Sequence, residues 1–122
     1  RSPAGRLVFI SSINGVRGSF GQANYAAAKA GLIGLARSLA LELARDGVTV
    51  NVVAPGFIDT EMTRRLPDSL RSRAVARTPL GRCGAAADVA HAVRFLCDEA
   101  AGFITGAVLP IDGGQLLGST PD

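Results

Sequence analysis

An α/β fold with a parallel sheet is predicted for this chain, and three observations predict it. Two short, continuous apolar runs, RLVFISS at Arg6–Ser12 and VTVNVVAP at Val48–Pro55, are rich in β-formers and read as strands buried on both faces. The stretches between and after them repeat apolar residues at steps of three and four, the period of an amphipathic helix. A last short run, AVLPID at Ala107–Asp112, ends in Gly113-Gly114. Strands alternating with helices imply right-handed crossovers and a sheet covered on both sides, which is half of a doubly wound arrangement.

The elements follow in order. A Pro3-Ala4-Gly5 turn leads into the first strand, and a Gly-rich loop, INGVRGSFGQ, is expected to follow it. One long helix is expected from about Gln22 to Arg45, with a core stripe of Leu32, Leu35, Ala36, Leu39 and Leu43. Asp46-Gly47 supplies its stop, Gly47 being suited to the left-handed position after the last turn. Ala26, Ala27, Ala28 and Ala30, with Gly31 and Gly34, make this a small-residue helix that another backbone, including that of a second subunit, can approach closely. After the second strand, Pro55-Gly56 breaks the chain sharply. Phe57–Arg65 reads as irregular or briefly helical, Pro67–Thr78 as a polar helix bearing arginines, and Asp88–Cys97 as a helix with Val89, Val93 and Leu96 on one face. Residues 118–122 read as a frayed tail.

Composition limits the function. The 122 residues form one domain with a real core, and 48% hydrophobic content argues against disorder. No apolar run reaches the length of a membrane span, so a cytoplasmic protein is expected. The net charge is +3, the arginines are scattered, and only one tyrosine and five phenylalanines can stack on bases, so nucleic acid is not an expected partner. Cys83 and Cys97 are too far apart for a metal motif and read as reduced thiols; His91 reads as a partly exposed helix residue, and no metal is expected. The chain begins Arg1-Ser2-Pro3 and its sole methionine is Met62, so the sequence is expected to be the later part of something longer.

Chemistry concentrates in NYAAAK, Asn24–Lys29, which holds the only tyrosine and the only lysine of the chain; the other cationic residues are all arginine. Four positions on a helix put Tyr25 and Lys29 on one face. A phenol ionises near pH 10 in water, and a neighbouring ammonium favours its phenolate. A tyrosine tuned in this way can pass a proton. Ser12 stands just after the first strand, where a hydroxyl can hold a substrate oxygen. A Tyr–Lys pair alone is more often a surface contact and a loop serine more often a backbone partner, so the reading depends on all three meeting at the carboxyl edge of a parallel sheet.

A serine thirteen residues before Tyr-x-x-x-Lys resembles the signature of the short-chain dehydrogenase/reductase family, and Ser12, Tyr25 and Lys29 match it residue by residue, with Ser11 the competing serine. The resemblance continues through GQANYAAAKAGLIGLARSLALELARDGVTVNVVAPGFIDTEMT, TPLGRCG and ITGAVLPIDGG, nearly the whole chain, in wording similar to bacterial 3-oxoacyl-acyl-carrier-protein reductases. It implies that the chain is the C-terminal half of a doubly wound Rossmann fold, a single partial domain over residues 1–122. It implies reduction of a carbonyl to a secondary alcohol with NADP(H) rather than NAD(H). Tyr25 would protonate the carbonyl oxygen, Ser12 would orient it, and Lys29 would ease the tyrosine's ionisation and bind the nicotinamide ribose. Pro55 and Gly56 would turn the chain toward the nicotinamide, the backbone of Ile58 would meet its carboxamide, and Thr60 would add a hydroxyl contact.

Phe57 and residues 61–77 would form part of a substrate lid. There Arg64, Arg65, Arg71, Arg73 and Arg77 either attract an anionic thioester or an acyl carrier protein or form a solvated face. Asp46, with Arg45 beside it, stands where carrier-docking members present an arginine. A 3-oxoacyl thioester of fatty-acid or polyketide type is the expected substrate, and a homodimer or homotetramer the expected assembly when complete. Another secondary-alcohol dehydrogenase, acting on a sugar, steroid or small ketone, is the alternative within the class; a non-catalytic assembly module is the alternative outside it. The family's glycine-rich dinucleotide turn, its upstream relay asparagine and its ribose-reading residue have no counterpart here, since GVRGSFG follows the wrong strand. The 122 residues alone are therefore expected neither to bind nicotinamide tightly nor to turn over substrate.

Overall fold

The computed structural model describes residues 5–118; the expected Pro3-Ala4-Gly5 turn and all but the first residue of the expected frayed tail lie outside them. Three parallel strands make the main sheet: β1 (Arg6–Ile10), β2 (Thr49–Pro55) and β5 (Val108–Ile111), in the order β1-β2-β5. Helix α1 (Ile13–Arg17) and the long helix α2 (Ala23–Leu43) follow β1. The stretch between β2 and β5 holds α3 (Glu61–Arg64), α4 (Asp68–Ala76) and α5 (Ala86–Cys97), with a small parallel pair, β3 (Ile58–Asp59) and β4 (Gly84–Ala85).

Each face of the sheet carries one helix. Ile33, Ala36 and Ala40 of α2 pack on Val50 and Val52, while Ala92 and Leu96 of α5 pack on Val53 from the other side. Successive β2 residues point to opposite faces, and a strand between two helices is buried on both, even where Thr49 and Asn51 alternate with Val50 and Val52. Residues 49–54 are all buried. Burying a side chain such as Leu96 contributes about 1.5–3 kcal/mol.

The stripe on α2 is shifted from the expected one. Ile33, Ala36 and Ala40 are buried with Leu39 and Leu43 packed beside them, but Leu35 is 48% exposed. Alanines at the centre of the stripe let α2 lie close to the sheet, and the larger leucines fall to its flanks. The expected stop holds: a 3-10 turn, Ala44–Asp46, ends at Gly47 with φ 72°, the left-handed region where glycine carries no Cβ penalty.

The expected Gly-rich loop at residues 13–22 is corrected in its first half, which is helical. Ser12 caps α1 by accepting the Asn14 N–H at 3.1 Å, buried Ile13 anchors it, and Asn14 Oδ1 accepts from the Arg17 guanidinium. Only after Arg17 does the chain turn, through Gly18 and Gly21 at positive φ.

Strand β1 lies at the sheet edge. Leu7 and Ile10 are 40% and 43% exposed, although β1 is apolar throughout after Arg6. Ser11 N donates to Val53 O at 2.8 Å, so alternate peptide groups, those of Val8 and Ile10, face away from β2. Among the described residues this edge of the sheet has no neighbouring strand.

Candidate functional site

The candidate residues lie at the carboxyl ends of β1 and β2 or on the helix that follows β1, the end of an open parallel sheet at which ligands bind. Ser12 follows β1 directly and is buried, 8% exposed. Its Oγ accepts from Asn14 N, which leaves its own O–H available to donate. Tyr25 occupies the first turn of α2 and is 45% exposed. Its phenol has no hydrogen bond among the described residues. A cleft of about 580 Å³, lined by Ser19 and residues 21–24, opens beside it. Lys29 comes one turn later. Its Nζ stands 5.7 Å from the Tyr25 ring centroid, within reach of a cation–π attraction, and donates to Ile10 O at 3.5 Å. The lysine therefore links the tyrosine, with which it shares a helix face as the spacing predicts, to the end of β1.

Ser11, the competing serine, is turned to a different use. It is buried, and its Oγ donates to Lys29 O at 2.7 Å. The two adjacent serines thus divide: one hydroxyl is committed to the α2 backbone, and the other caps α1 with its proton free.

The second group of candidates surrounds the end of β2. Gly56 N donates to Ile111 O at 3.0 Å. A Cβ on Gly56 would come within 2.8 Å of Asp112 Cβ and 3.0 Å of Gln115 Oε1, so the turn after Pro55 is set by close packing on the β5 end. Gln115 is a residue that sequence reasoning missed. Its Oε1 is buried with no partner among the described residues, an acceptor held beside the turn. Ile58 pairs with Gly84, and its carbonyl accepts the Thr63 hydroxyl at 2.8 Å. Thr60 caps α3: Thr63 N donates to its Oγ1 at 3.2 Å, and Thr60 N donates to Thr63 Oγ1 at 2.8 Å. Its hydroxyl also contacts Thr63 Oγ1 at 3.3 Å; because the Thr63 proton goes to Ile58 O, Thr60 is the donor there.

The arginines of the lid region are not equivalent. Arg64 pairs with Asp59 at 3.0 Å; that hydrogen bond, with the attraction behind it, holds the Asp59 carboxyl below its ordinary range and Arg64 above its own. Arg71 Nε is buried without a partner among the described residues, at a pocket of about 560 Å³ that Phe57 and Cys83 also line. Arg82 pairs with Asp88 at 3.2 Å. The Ala85 N–H first, then Arg82, hold the Asp88 carboxyl below its ordinary range. Both cysteines are free thiols.

These residues fit one end of a dinucleotide. Lys29 has donors beyond its single long bond, and the buried Gln115 oxygen supplies an acceptor near the β2 turn. They do not fit the phosphate end. Gly15, the glycine in α1, is filled against the α2 backbone, where a Cβ would lie 2.7 Å from Lys29 Cβ, so no cradle opens there.

The chain is similar in sequence to known proteins over most of its length. A protein-family profile described as enoyl-(acyl carrier protein) reductase matches residues 1–115. The chain is 55% identical over 114 residues to the 3-oxoacyl-[acyl-carrier-protein] reductase MabA of Mycobacterium avium, covering 93% of this chain and 45% of that protein. It is 54% identical over 113 residues to the reductase FabG of Escherichia coli, covering 93% and 46%, and 52% identical over 118 residues to MabA of Mycobacterium tuberculosis, covering 97% and 48%. The chain spans about half the length of the curated relatives it matches. With this match and its α/β order of parallel strands, the chain belongs to the short-chain dehydrogenase/reductase family.

Proposed function

We propose that this chain is the catalytic part of an NADP(H)-dependent reductase that converts a 3-oxoacyl thioester to the 3-hydroxyacyl thioester. The observation that carries the proposal is the stacking of the Lys29 ammonium 5.7 Å from the Tyr25 ring, one helical turn on, at the carboxyl end of β1. Ser12 stands at the same strand end with its O–H uncommitted.

The chemistry that a reduced nicotinamide supplies when bound is a hydride for the carbonyl carbon. The rest falls to this chain. Ser12 donates a hydrogen bond to the carbonyl oxygen and fixes its direction. Tyr25 gives its phenolic proton to that oxygen as the C=O π pair moves onto it. The resulting phenolate is stabilised by the Lys29 ammonium and recovers a proton from solvent. General acid transfer of this kind contributes about 10²–10⁴-fold. Lys29, Thr60 and the Pro55–Gly56 turn, with the Ile58 backbone, would hold the nicotinamide end.

The open β1 edge supports a second half to the sheet, of the size by which the relatives exceed this chain. We place the complete protein in the cytoplasm, as a homodimer or homotetramer, with an acyl carrier protein delivering substrate to the arginine-bearing lid.

The family profile's description favours one further reading, reduction of a C=C bond in an enoyl thioester. The test is NADPH oxidation by a protein of the relatives' length that contains this sequence. Turnover of an acetoacetyl thioester with little on a crotonyl thioester supports the proposal; the reverse preference, or reduction of sugar and steroid ketones alone, overturns it. The 122 residues alone are expected to give neither saturable NADPH binding nor turnover.

A further inference from the structure

Two residues outside the catalytic set meet the main chain of Lys29. Ser11, just before Ser12, buries its hydroxyl and donates to Lys29 O at 2.7 Å. A helical carbonyl has a second lone pair for such a bond beyond the one it gives its own helix. Gly15, three residues after Ser12, lies so close to α2 that a Cβ would be 2.7 Å from Lys29 Cβ, 2.8 Å from Lys29 C and 2.9 Å from Ala30 N. Real Cβ atoms do not approach a backbone that closely, so only glycine allows α1 to sit there. Ser12 lies between them, its oxygen fixed by the Asn14 N–H. The segment that carries the candidate hydroxyl is thus fastened at both ends to one residue of α2.

We propose that Ser11 and Gly15 are positioning residues: they clamp the Lys29 main chain from two sides and so hold Ser12 and the Tyr25–Lys29 pair as one rigid unit. Helix α2 meets the sheet through Ile33 and the small Ala36 and Ala40, with Leu39 and Leu43 at the flank, and the two contacts to Lys29 add fixed points at its N-terminal end. The Ser11 bond sets its position along the helix axis. The Gly15 contact sets its distance from α1. Neither residue touches substrate. The importance of the clamp rests on the reading of Lys29 given above; its existence does not.

The test is made in a protein of the relatives' length that contains this sequence. With ¹³C-lysine labelling, the Lys29 signals are those lost in Lys29→Arg and the Tyr25 ring signals those lost in Tyr25→Phe, and nuclear Overhauser effects from the Lys29 ε-methylene to that ring report the pair. Ser11→Ala should shift the Lys29 carbonyl resonance and remove more than half of the lysine–tyrosine effect. Ser11→Thr, which keeps the hydroxyl, should restore both. Gly15→Ala should weaken the same effect. Thr105→Ala is the control: Thr105 Oγ1 accepts from Val50 N at 3.0 Å, away from this site, so its loss should lower the melting temperature and leave the Lys29 signals in place. If Ser11→Ala does not fold, Ser11→Cys, with similar volume and a weaker donor, takes its place. Signals unchanged in the Ser11 variants, or changed no more than in Thr105→Ala, overturn the clamp, as does failure of Ser11→Thr to restore them. The measurement needs neither cofactor nor turnover. A lost clamp therefore leaves the proposed reaction standing, and an inactive reductase leaves the clamp standing.

Discussion

Asn51 offers the sharpest stability test, because it is a polar side chain at the centre of an apolar strand. It is 0% exposed, and its amide uses both ends. Nδ2 donates to Ile104 O at 2.9 Å, and Oδ1 accepts from Ala107 N at 3.0 Å. It thereby ties β2 to the segment that leads into β5. Asn51→Ala leaves one part-buried carbonyl and one part-buried N–H without the Asn51 partner, at up to about 1–3 kcal/mol each. The expected loss is up to about 2–6 kcal/mol, a large share of the roughly 5–15 kcal/mol that holds a domain folded. Urea unfolding followed by circular dichroism should show a lower midpoint with an unchanged slope.

Asn51→Asp sharpens the test through pH. At neutral pH a buried carboxylate would face Ile104 O with an acceptor instead of a donor. Burial and that carbonyl both raise the folded-state value of the new group. Its destabilisation should therefore shrink as pH falls and the protonated acid regains a donor, opposite to the usual acid trend. A loss below about 1 kcal/mol for Asn51→Ala, or an Asp variant insensitive to pH, would refute the reasoning.

Three further outcomes are expected. Asp59 and Asp88 are held below the ordinary carboxylate range in the fold, so the stability they contribute is present above about pH 4 and is lost as pH falls through the folded values; melting curves of Asp88→Asn should have a flatter acid limb than the parent. Gly56→Ala should lower stability by about 1–3 kcal/mol through overpacking, since its Cβ would meet Asp112 and Gln115; an unchanged melting temperature would count against the close approach of β2 and β5. Leu96→Ala, at the centre of the α5 face, should cost about 2–5 kcal/mol, whereas truncating exposed Leu41 to alanine should leave the unfolding midpoint nearly unchanged.

Much of this architecture was legible in the residues. The Val-rich run of β2 announced a strand covered twice, and the structure covers it with α2 and α5. Gly47 announced the end of α2 and adopts the left-handed φ expected of it. Tyr25 and Lys29 were paired by helical spacing alone, and they stack. What was not legible depends on contacts far apart in sequence. Helix α1 was hidden because its glycines suggested a loop; what sustains it is the Ser12 cap and the α2 backbone behind Gly15. The stripe of α2 was misplaced because leucine outweighed alanine in the pattern, while close packing on the sheet favoured alanine. The roles of Ser11, Asn51 and Gln115 could not be separated from ordinary polar residues, since each is defined by a partner or packing neighbour at least eighteen positions away.

The account centres on the Tyr25 hydroxyl as the proton donor, and Tyr25→Phe in a protein of the relatives' length tests it most directly. Steady-state reduction of an acetoacetyl thioester should fall by about 10²–10⁴-fold, with NADPH affinity and oligomeric state unchanged. Turnover within a few-fold of the parent would contradict it.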